Sequence, residues 1–171
     1  NSETNDSADM KGGNDSGGHV YLPGDSEFGT YTSRSGKVVP KPYGGMTYQA
    51  VKGMIFAGVS KDDPAMQAAF KWIKNNYSVK ENPGMGQVGL FYYYHTMSKA
   101  LATLGEDPFV DSKGTKHAWR VELFEELARR QNPNGSWTNP ADRWYEGDPN
   151  LVTGYVLMAL SHTKPAPSTT K

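Results

Sequence analysis

Apolar residues recur at helical spacing in five segments of the chain, and these segments alternate between two patterns. Residues 46–59, 88–104 and 150–160 are apolar on most faces, which predicts helices with neighbours on every side. Residues 64–76 and 119–130 carry one apolar stripe beside a polar face, which predicts helices that face water. The alternation predicts an all-α fold in which helical hairpins pack side by side, with apolar inner helices and polar outer helices.

Composition divides the chain into three parts. Residues 1–42 are rich in Ser, Asn, Asp and Gly, which predicts a polar, loop-rich or partly disordered segment with short extended pieces at 19–22 and 30–32. Residues 43–163 form the predicted helical-hairpin domain, and residues 164–171 form a tail that contains Pro165 and Pro167. The abrupt polar start leads us to expect that the chain is the C-terminal portion of a longer parent.

A tryptophan-containing motif follows the second polar helix. Gln131, Gly135 and Trp137 belong to a stretch with the spacing Leu-x-x-x-Gln-x-x-x-Gly-x-Trp. Gln131 can hydrogen-bond groups at a helix end, Gly135 permits a tight turn, and the Trp137 ring can pack over the junction. We therefore expect these three residues to close a hairpin.

This motif resembles the QW motif of the squalene-cyclase and protein-prenyltransferase superfamily. The resemblance extends over residues 43–162 and implies the α/α toroid of that superfamily, a closed ring of six helical hairpins. The chain would supply two hairpins and a single helix of such a ring. Pro64 and Pro108, at equivalent positions, lie 44 residues apart, and other helical repeats have a similar period.

The catalytic groups of that superfamily are not visible in this chain. Squalene-hopene cyclases protonate their substrate with a DxDD motif, which is absent, and Asp63 before Pro64 is interpreted as a helix cap. Protein prenyltransferases bind zinc through an aspartate, a cysteine and a histidine, and His95 matches the histidine. Gly45 and Thr47 stand near the positions of the other two ligands. Since a tight zinc site needs three protein ligands, we expect no metal at His95 and no cofactor.

The loops that enter the inner helices are rich in glycine and aromatic residues. Parallel inner helices would gather their N-termini, which carry partial positive charge, at one end of the fold. Aromatic faces suit an isoprenoid or a carbocation. Two alternatives stay open, because these aromatic residues and His95 can instead belong to the core, and Asp148 before Pro149 can be a helix cap. The candidate substrate-binding residues are Tyr48, Tyr92, Tyr93, Tyr94, His95, Trp144, Glu146, Asp148 and Tyr155.

Composition excludes several classes of function. Lysine plus arginine (18) balances aspartate plus glutamate (18), and no basic run is present, so we expect no nucleic-acid partner. The absence of cysteine excludes disulfides, thiolate zinc sites and a cysteine nucleophile. No apolar run approaches the ~20 residues that cross a bilayer, so we expect no transmembrane segment, while the cellular compartment stays open.

The sequence therefore predicts a squalene-cyclase-like or prenyltransferase-like toroid fragment that binds an isoprenoid or another apolar ligand. We expect no catalytic competence from this chain alone, and its catalytic residues are not identified; an active full-length parent would be a terpenoid-cyclase-like enzyme. The alternative is a non-catalytic helical-repeat module that binds a protein or a polysaccharide. The apolar edges of an incomplete ring should contact the remainder of the toroid, self-associate, or be covered by residues 19–43.

Overall fold

The computed structural model describes residues 16–22, 26, 28–33, 36 and 38–164, and within them the fold is mostly helical, as predicted. The predicted polar segment at 1–15 and the tail at 165–171 lie outside the described residues. Two short antiparallel hairpins accompany the helices, and the one at 109–117 was not predicted. The elements are β1 (Thr30–Thr32), β2 (Val38–Pro40), α1 (Gly44–Phe56), α2 (Pro64–Asn75), α3 (Leu90–Leu104), β3 (Phe109–Val110), β4 (Lys116–His117), α4 (Trp119–Arg130), a 3-10 turn (Arg143–Tyr145) and α5 (Pro149–Ser161).

Local signals set the starts of α2 and α5. The Asp63 side chain accepts a hydrogen bond from the Ala65 backbone N–H at 2.8 Å, and Asp148 accepts one from Asn150 at 2.8 Å. Each aspartate precedes a proline at the first helical position, where the missing N–H costs nothing. The interpretation of both aspartates as helix caps is confirmed.

The central element of the helical layer is α3. It packs against α1 on one side and α5 on the other, and α1 also packs against α2. Most of the α3 surface is therefore buried, as its apolar pattern predicts. The two flanking helices are less buried than predicted, because Phe56 on α1 and Leu157 and Met158 on α5 remain exposed.

The N-terminal segment covers part of this helical layer. The His19 backbone carbonyl accepts a hydrogen bond from the Tyr43 N–H at 3.2 Å, and the His19 N–H donates to the Thr47 hydroxyl at 3.0 Å. Val39 of β2 is buried in the core. The described residues of this segment thus pack directly on the start of α1, although their intrinsic helix or strand propensity is weak.

A buried carboxylate anchors α4 to the loop that precedes α3. Glu126 is 1% exposed, and its oxygens lie 2.7 Å from the Lys80 Nζ, 2.5 Å from the Arg129 Nη2 and 2.7 Å from the Arg130 Nε. Burial alone would raise the pKa of Glu126, but the hydrogen bonds from these three cations outweigh it and lower the pKa to about 2. The carboxylate therefore stays ionised inside the fold.

The tryptophan motif lies at the C-terminal end of α4 and in the turn that follows it. The Trp137 ring is 6% exposed, and its N–H donates to the Leu127 carbonyl at 2.7 Å, one of the unpaired carbonyls in the last turn of α4. Gln131 does not bond this helix end as expected; its amide donates to the Gly135 carbonyl at 2.9 Å, within the turn. Gly135 has φ +84°, a left-handed conformation that glycine adopts without strain.

Truncation of Trp137 should therefore destabilise the whole fold. We expect Trp137→Ala to lower the free energy of unfolding by about 3–5 kcal/mol, because it removes a large buried ring and leaves the Leu127 carbonyl unpaired. Trp144→Ala is the control, since Trp144 is 45% exposed and the change should cost much less. Urea titration followed by circular dichroism measures both values, and equal stability of the two variants would refute the assignment.

Candidate ligand-binding groove

A groove of about 360 Å³ opens where the N-terminal ends of α1 and α3 meet the loop that precedes α5. We call it the rim groove. Met46 of α1, Tyr92 of α3 and Tyr155 of α5 each contribute to its wall. The wall is predominantly apolar and aromatic, as in many small-molecule sites. The other lining residues are Tyr21, Leu22, Ser26, Phe28, Tyr43, Gly45, Asn82, Met85, Gly89, Trp144 and Glu146.

The aromatic rings of the rim groove contact one another edge to face. The Tyr92 and Tyr155 centroids lie 5.6 Å apart at 71°, which joins α3 to α5. Phe28, from the N-terminal segment, lies 5.5 Å from Tyr43 and 5.8 Å from Trp144. Such pairs stabilise the ring positions beyond simple area burial, so the groove walls support each other.

Three of the predicted binding residues lie in the core and not in this groove. Tyr48, Tyr93 and Tyr94 are fully buried. The Tyr93 hydroxyl donates to the Ser78 carbonyl at 2.6 Å, and the Tyr94 hydroxyl donates to the Val79 carbonyl at 2.8 Å. Because successive helical residues point about 100° apart, only one of three consecutive tyrosines on α3 can face the groove, and Tyr92 is that residue.

His95 lies beside the groove, one helical turn after Tyr92. Its ring stacks on Tyr155 at 6.2 Å with an interplanar angle of 14°, and its Nδ1 is buried with no hydrogen-bond partner among the described residues. Burial lowers the pKa of His95, and the charges of Lys52, His162 and Lys99 lower it further. Among the described residues, no group of three His, Cys, Asp or Glu side chains could hold a metal ion.

The Glu146 carboxylate lies against the buried N-terminus of α3. Its Oε1 accepts the Tyr92 N–H at 2.9 Å, the N–H groups of Phe91 and Leu90 also bond the carboxylate, and its Oε2 accepts the Asn139 amide at 2.6 Å. Burial raises the pKa of Glu146, and these hydrogen bonds oppose the rise. Gly89 precedes α3 and has no side chain to cap it, so Glu146 caps the helix from 54 residues further along the chain.

Asn82 caps the N-terminus of α1 in the same way. Its Oδ1 accepts the Gly45 N–H at 3.0 Å, and its amide donates to the Val88 carbonyl at 3.0 Å. Asn139 in turn donates to the Gln87 carbonyl at 2.7 Å, in the loop before α3. The loop before α3 thus contacts the start of α1, and the loop before α5 contacts the start of α3. Sequence analysis missed both asparagines, although each is followed by proline, in the loop before α3 or in the loop before α5.

Gly44 allows the start of α1 to approach the loop that carries Asn82. Its N–H donates to the Pro83 carbonyl at 2.8 Å, so the backbone of α1 lies directly against the loop before α3. A Cβ atom at this position would lie 2.7 Å from both Pro83 Cδ and Tyr93 Cε2, which is closer than real Cβ contacts. The first helical turn of α1 therefore requires glycine at residue 44.

The loop before α5 holds a strained backbone over the groove. Trp144 (φ +59°) and Tyr145 (φ +65°) are consecutive non-glycine residues in the left-handed region, which costs on the order of 1–3 kcal/mol each. The Gly147 N–H donates to the Asp142 carboxylate at 2.7 Å and the Asn139 N–H donates to the Glu146 carbonyl at 2.8 Å, which fixes this conformation. Strain of this kind is concentrated at functional sites, and here it places the Trp144 ring at the groove.

No protein-family model, no curated protein and no solved structure matches the chain. No helix among the described residues is long and apolar enough to span a membrane. The assignment of a function therefore rests on the residues and geometry of the rim groove.

Removal of the Glu146 carboxylate should disrupt the start of α3. We expect Glu146→Ala to lower the free energy of unfolding by about 3 kcal/mol, because several buried N–H groups lose their acceptor. Asp148→Ala is the control, since this exposed cap should cost only about 1 kcal/mol. Chemical unfolding of the two variants and the parent chain measures both effects, and a stability loss for Glu146→Ala no larger than the control would contradict the assignment.

Proposed function

We propose that the chain is part of a squalene-cyclase-like α/α toroid and that the rim groove binds an isoprenoid or another apolar ligand. The aromatic wall of the rim groove is the observation that carries this proposal. The two buried polar side chains of the groove, Asn82 and Glu146, already accept hydrogen bonds from helix N-termini. Aromatic rings and methionine side chains form more of the surface that a ligand would contact in this groove than hydrogen-bonding groups do. Such a surface favours an apolar molecule.

The size of the groove also supports a small apolar ligand. Its volume of about 360 Å³ lies near the lower end of the range of about 300–1,000 Å³ that small-molecule sites occupy. A single short hydrocarbon chain or a small ring system fits that volume. The surrounding rings of Tyr92, Trp144 and Tyr155 would contact it by their faces and edges.

Binding without catalysis is the activity that we assign to this chain. Both Glu146 oxygens accept hydrogen bonds, and Asp148 caps α5, so neither is a free acid in the groove. Of the described residues that line the groove, Glu146 is the sole carboxylate. None of the described groove residues is therefore assigned as an acid that protonates a substrate.

The toroid part of the proposal rests on the order of the helices and on the hairpin closure. In space, α3 lies between α1 and α5. In sequence, α2 lies between α1 and α3, and α4 lies between α3 and α5. Successive hairpins of a toroid require this arrangement. The exposed Leu157 and Met158 on α5 and Phe56 on α1 would be covered by neighbouring hairpins of such a ring. The remainder of the toroid is therefore the partner that we propose for these edges.

Titration with farnesol tests the proposed ligand class. Binding should change the intrinsic tryptophan fluorescence, because Trp144 lines the groove. Tyr92→Ala and Tyr155→Ala should each weaken binding by about 10-fold or more, since each removes a large apolar contact worth roughly 1.5–3 kcal/mol.

Tyr145→Ala is the matched control for these variants, because Tyr145 is 80% exposed and does not line the groove. Its affinity for farnesol should equal that of the parent chain. An affinity that is the same for all three variants, or no binding to the parent chain, would reject the rim groove as the site.

A further inference from the structure

A second, larger groove runs along α2 and has no lining residue in common with the rim groove. We call it the α2 groove, and its volume is about 1120 Å³. One wall is α2, and the facing wall comes from β1, the chain after β2, the loop before α3 and the β3–β4 turn. The lining residues are Ser16, Tyr31, Thr32, Lys41, Pro42, Pro64, Gln67, Ala68, Phe70, Lys71, Trp72, Lys74, Asn75, Asn76, Gly84 and Ser112.

The charged side chains among the described residues that line the α2 groove are all lysines. Lys71 and Lys74 lie one helical turn apart on α2, and Lys41 contributes a third ammonium group. No aspartate or glutamate is among the described residues that line the groove, and α2 itself contains none. No ion pair among the described residues engages any of the three lysines. In a chain whose formal net charge is zero, this is a local concentration of unpaired positive charge.

Polar and aromatic groups lie between the charges. The Lys74 ammonium lies 4.9 Å above the Phe70 ring, so the lysine head is held at the groove by an aromatic contact. The Lys74 carbonyl accepts the Ser112 N–H at 3.0 Å, which fixes the β3–β4 turn beside it. Asn75 is exposed beside Lys74 and adds both donors and acceptors.

We propose that the α2 groove binds an anionic polysaccharide, that is, a glycan chain that carries carboxylate or sulfate groups. The lysines are point charges spread over two walls of a long open groove, which suits repeated anionic groups along a polymer more than one small anion. The amide and hydroxyl side chains between them can hydrogen-bond sugar hydroxyls.

Binding to four polymers tests this proposal on the full chain: polygalacturonate, dextran sulfate, neutral dextran and poly-L-glutamate. Isothermal titration calorimetry should detect polygalacturonate or dextran sulfate, or both, and no neutral dextran. The comparison of the first two polymers distinguishes carboxylate from sulfate recognition. Affinity should fall about 10-fold or more from about 50 mM to about 200 mM salt, because three ion contacts release counterions.

Charge-reversal variants test whether the polysaccharide binds in the α2 groove. Lys71→Glu combined with Lys74→Glu should weaken binding about 10-fold or more. Lys52→Glu combined with Lys99→Glu is the matched control, because it reverses the same charge on α1 and α3, outside the α2 groove, and should leave the affinity within about 2-fold. Circular dichroism verifies folding, and Lys71→Gln with Lys74→Gln replaces the reversal if that variant does not fold.

Three results would overturn the proposal. The first is an absence of binding to both anionic polysaccharides at low salt. The second is an equal loss of affinity in the two charge-reversal pairs, which would indicate a response to overall charge. The third is tighter binding of poly-L-glutamate than of either anionic polysaccharide, which would indicate an acidic peptide as the ligand of this groove.

Discussion

The buried N-termini of α1 and α3 impose the constraint on which the rest of the structure depends. The first N–H groups of a helix have no partner within it, and burying them unpaired costs about 1–3 kcal/mol each. Neither Tyr43 nor Gly89, which precede α1 and α3, supplies a side-chain cap. Asn82 supplies the acceptor for α1 from the loop that leads to α3, and Glu146 supplies the acceptor for α3 from the loop that leads to α5. These hydrogen bonds therefore fix α1 and α3 relative to the loops that follow them.

The rim groove is a consequence of this arrangement. The loop that carries Glu146 to α3 also carries Trp144, and its left-handed backbone is held in place by the hydrogen bonds from the Gly147 N–H to the Asp142 carboxylate and from the Asn139 N–H to the Glu146 carbonyl. Asn82 and Glu146 of the groove wall bind helix N-termini, and much of the remaining wall consists of aromatic rings that pack edge to face. A groove built in this way presents apolar surface although it lies among helix N-termini, which ordinarily attract anions. The unpaired positive charge that favours an anionic ligand lies instead in the α2 groove.

Local sequence signals predicted the helices well and the groove only in part. Asp-Pro marks α2 and α5, and helical spacing marks α4, because these signals act over a few residues. The start of α3 was predicted two residues early, since Gly89 takes a left-handed φ of +63°. Trp144, Glu146 and Tyr155 were placed among the binding residues, and all three line the groove. The capping roles of Asn82 and Glu146 were missed, because their hydrogen bonds join residues 37 and 54 positions apart, a separation at which periodicity carries no signal. For Tyr93 and Tyr94 the cavity and the core stayed open as alternatives, because aromatic composition alone does not specify which face of a helix is buried.

Amide hydrogen exchange at Leu90, Phe91 and Tyr92 tests the central claim most directly. First-turn amides of a helix exchange quickly when only water satisfies them, whereas amides bonded to a buried carboxylate exchange only when the structure opens. The account predicts that all three amides exchange about as slowly as that of Met97 in the middle of α3. Exchange at the rate of an unstructured peptide would contradict it, because Glu146 would then not hold the start of the central helix.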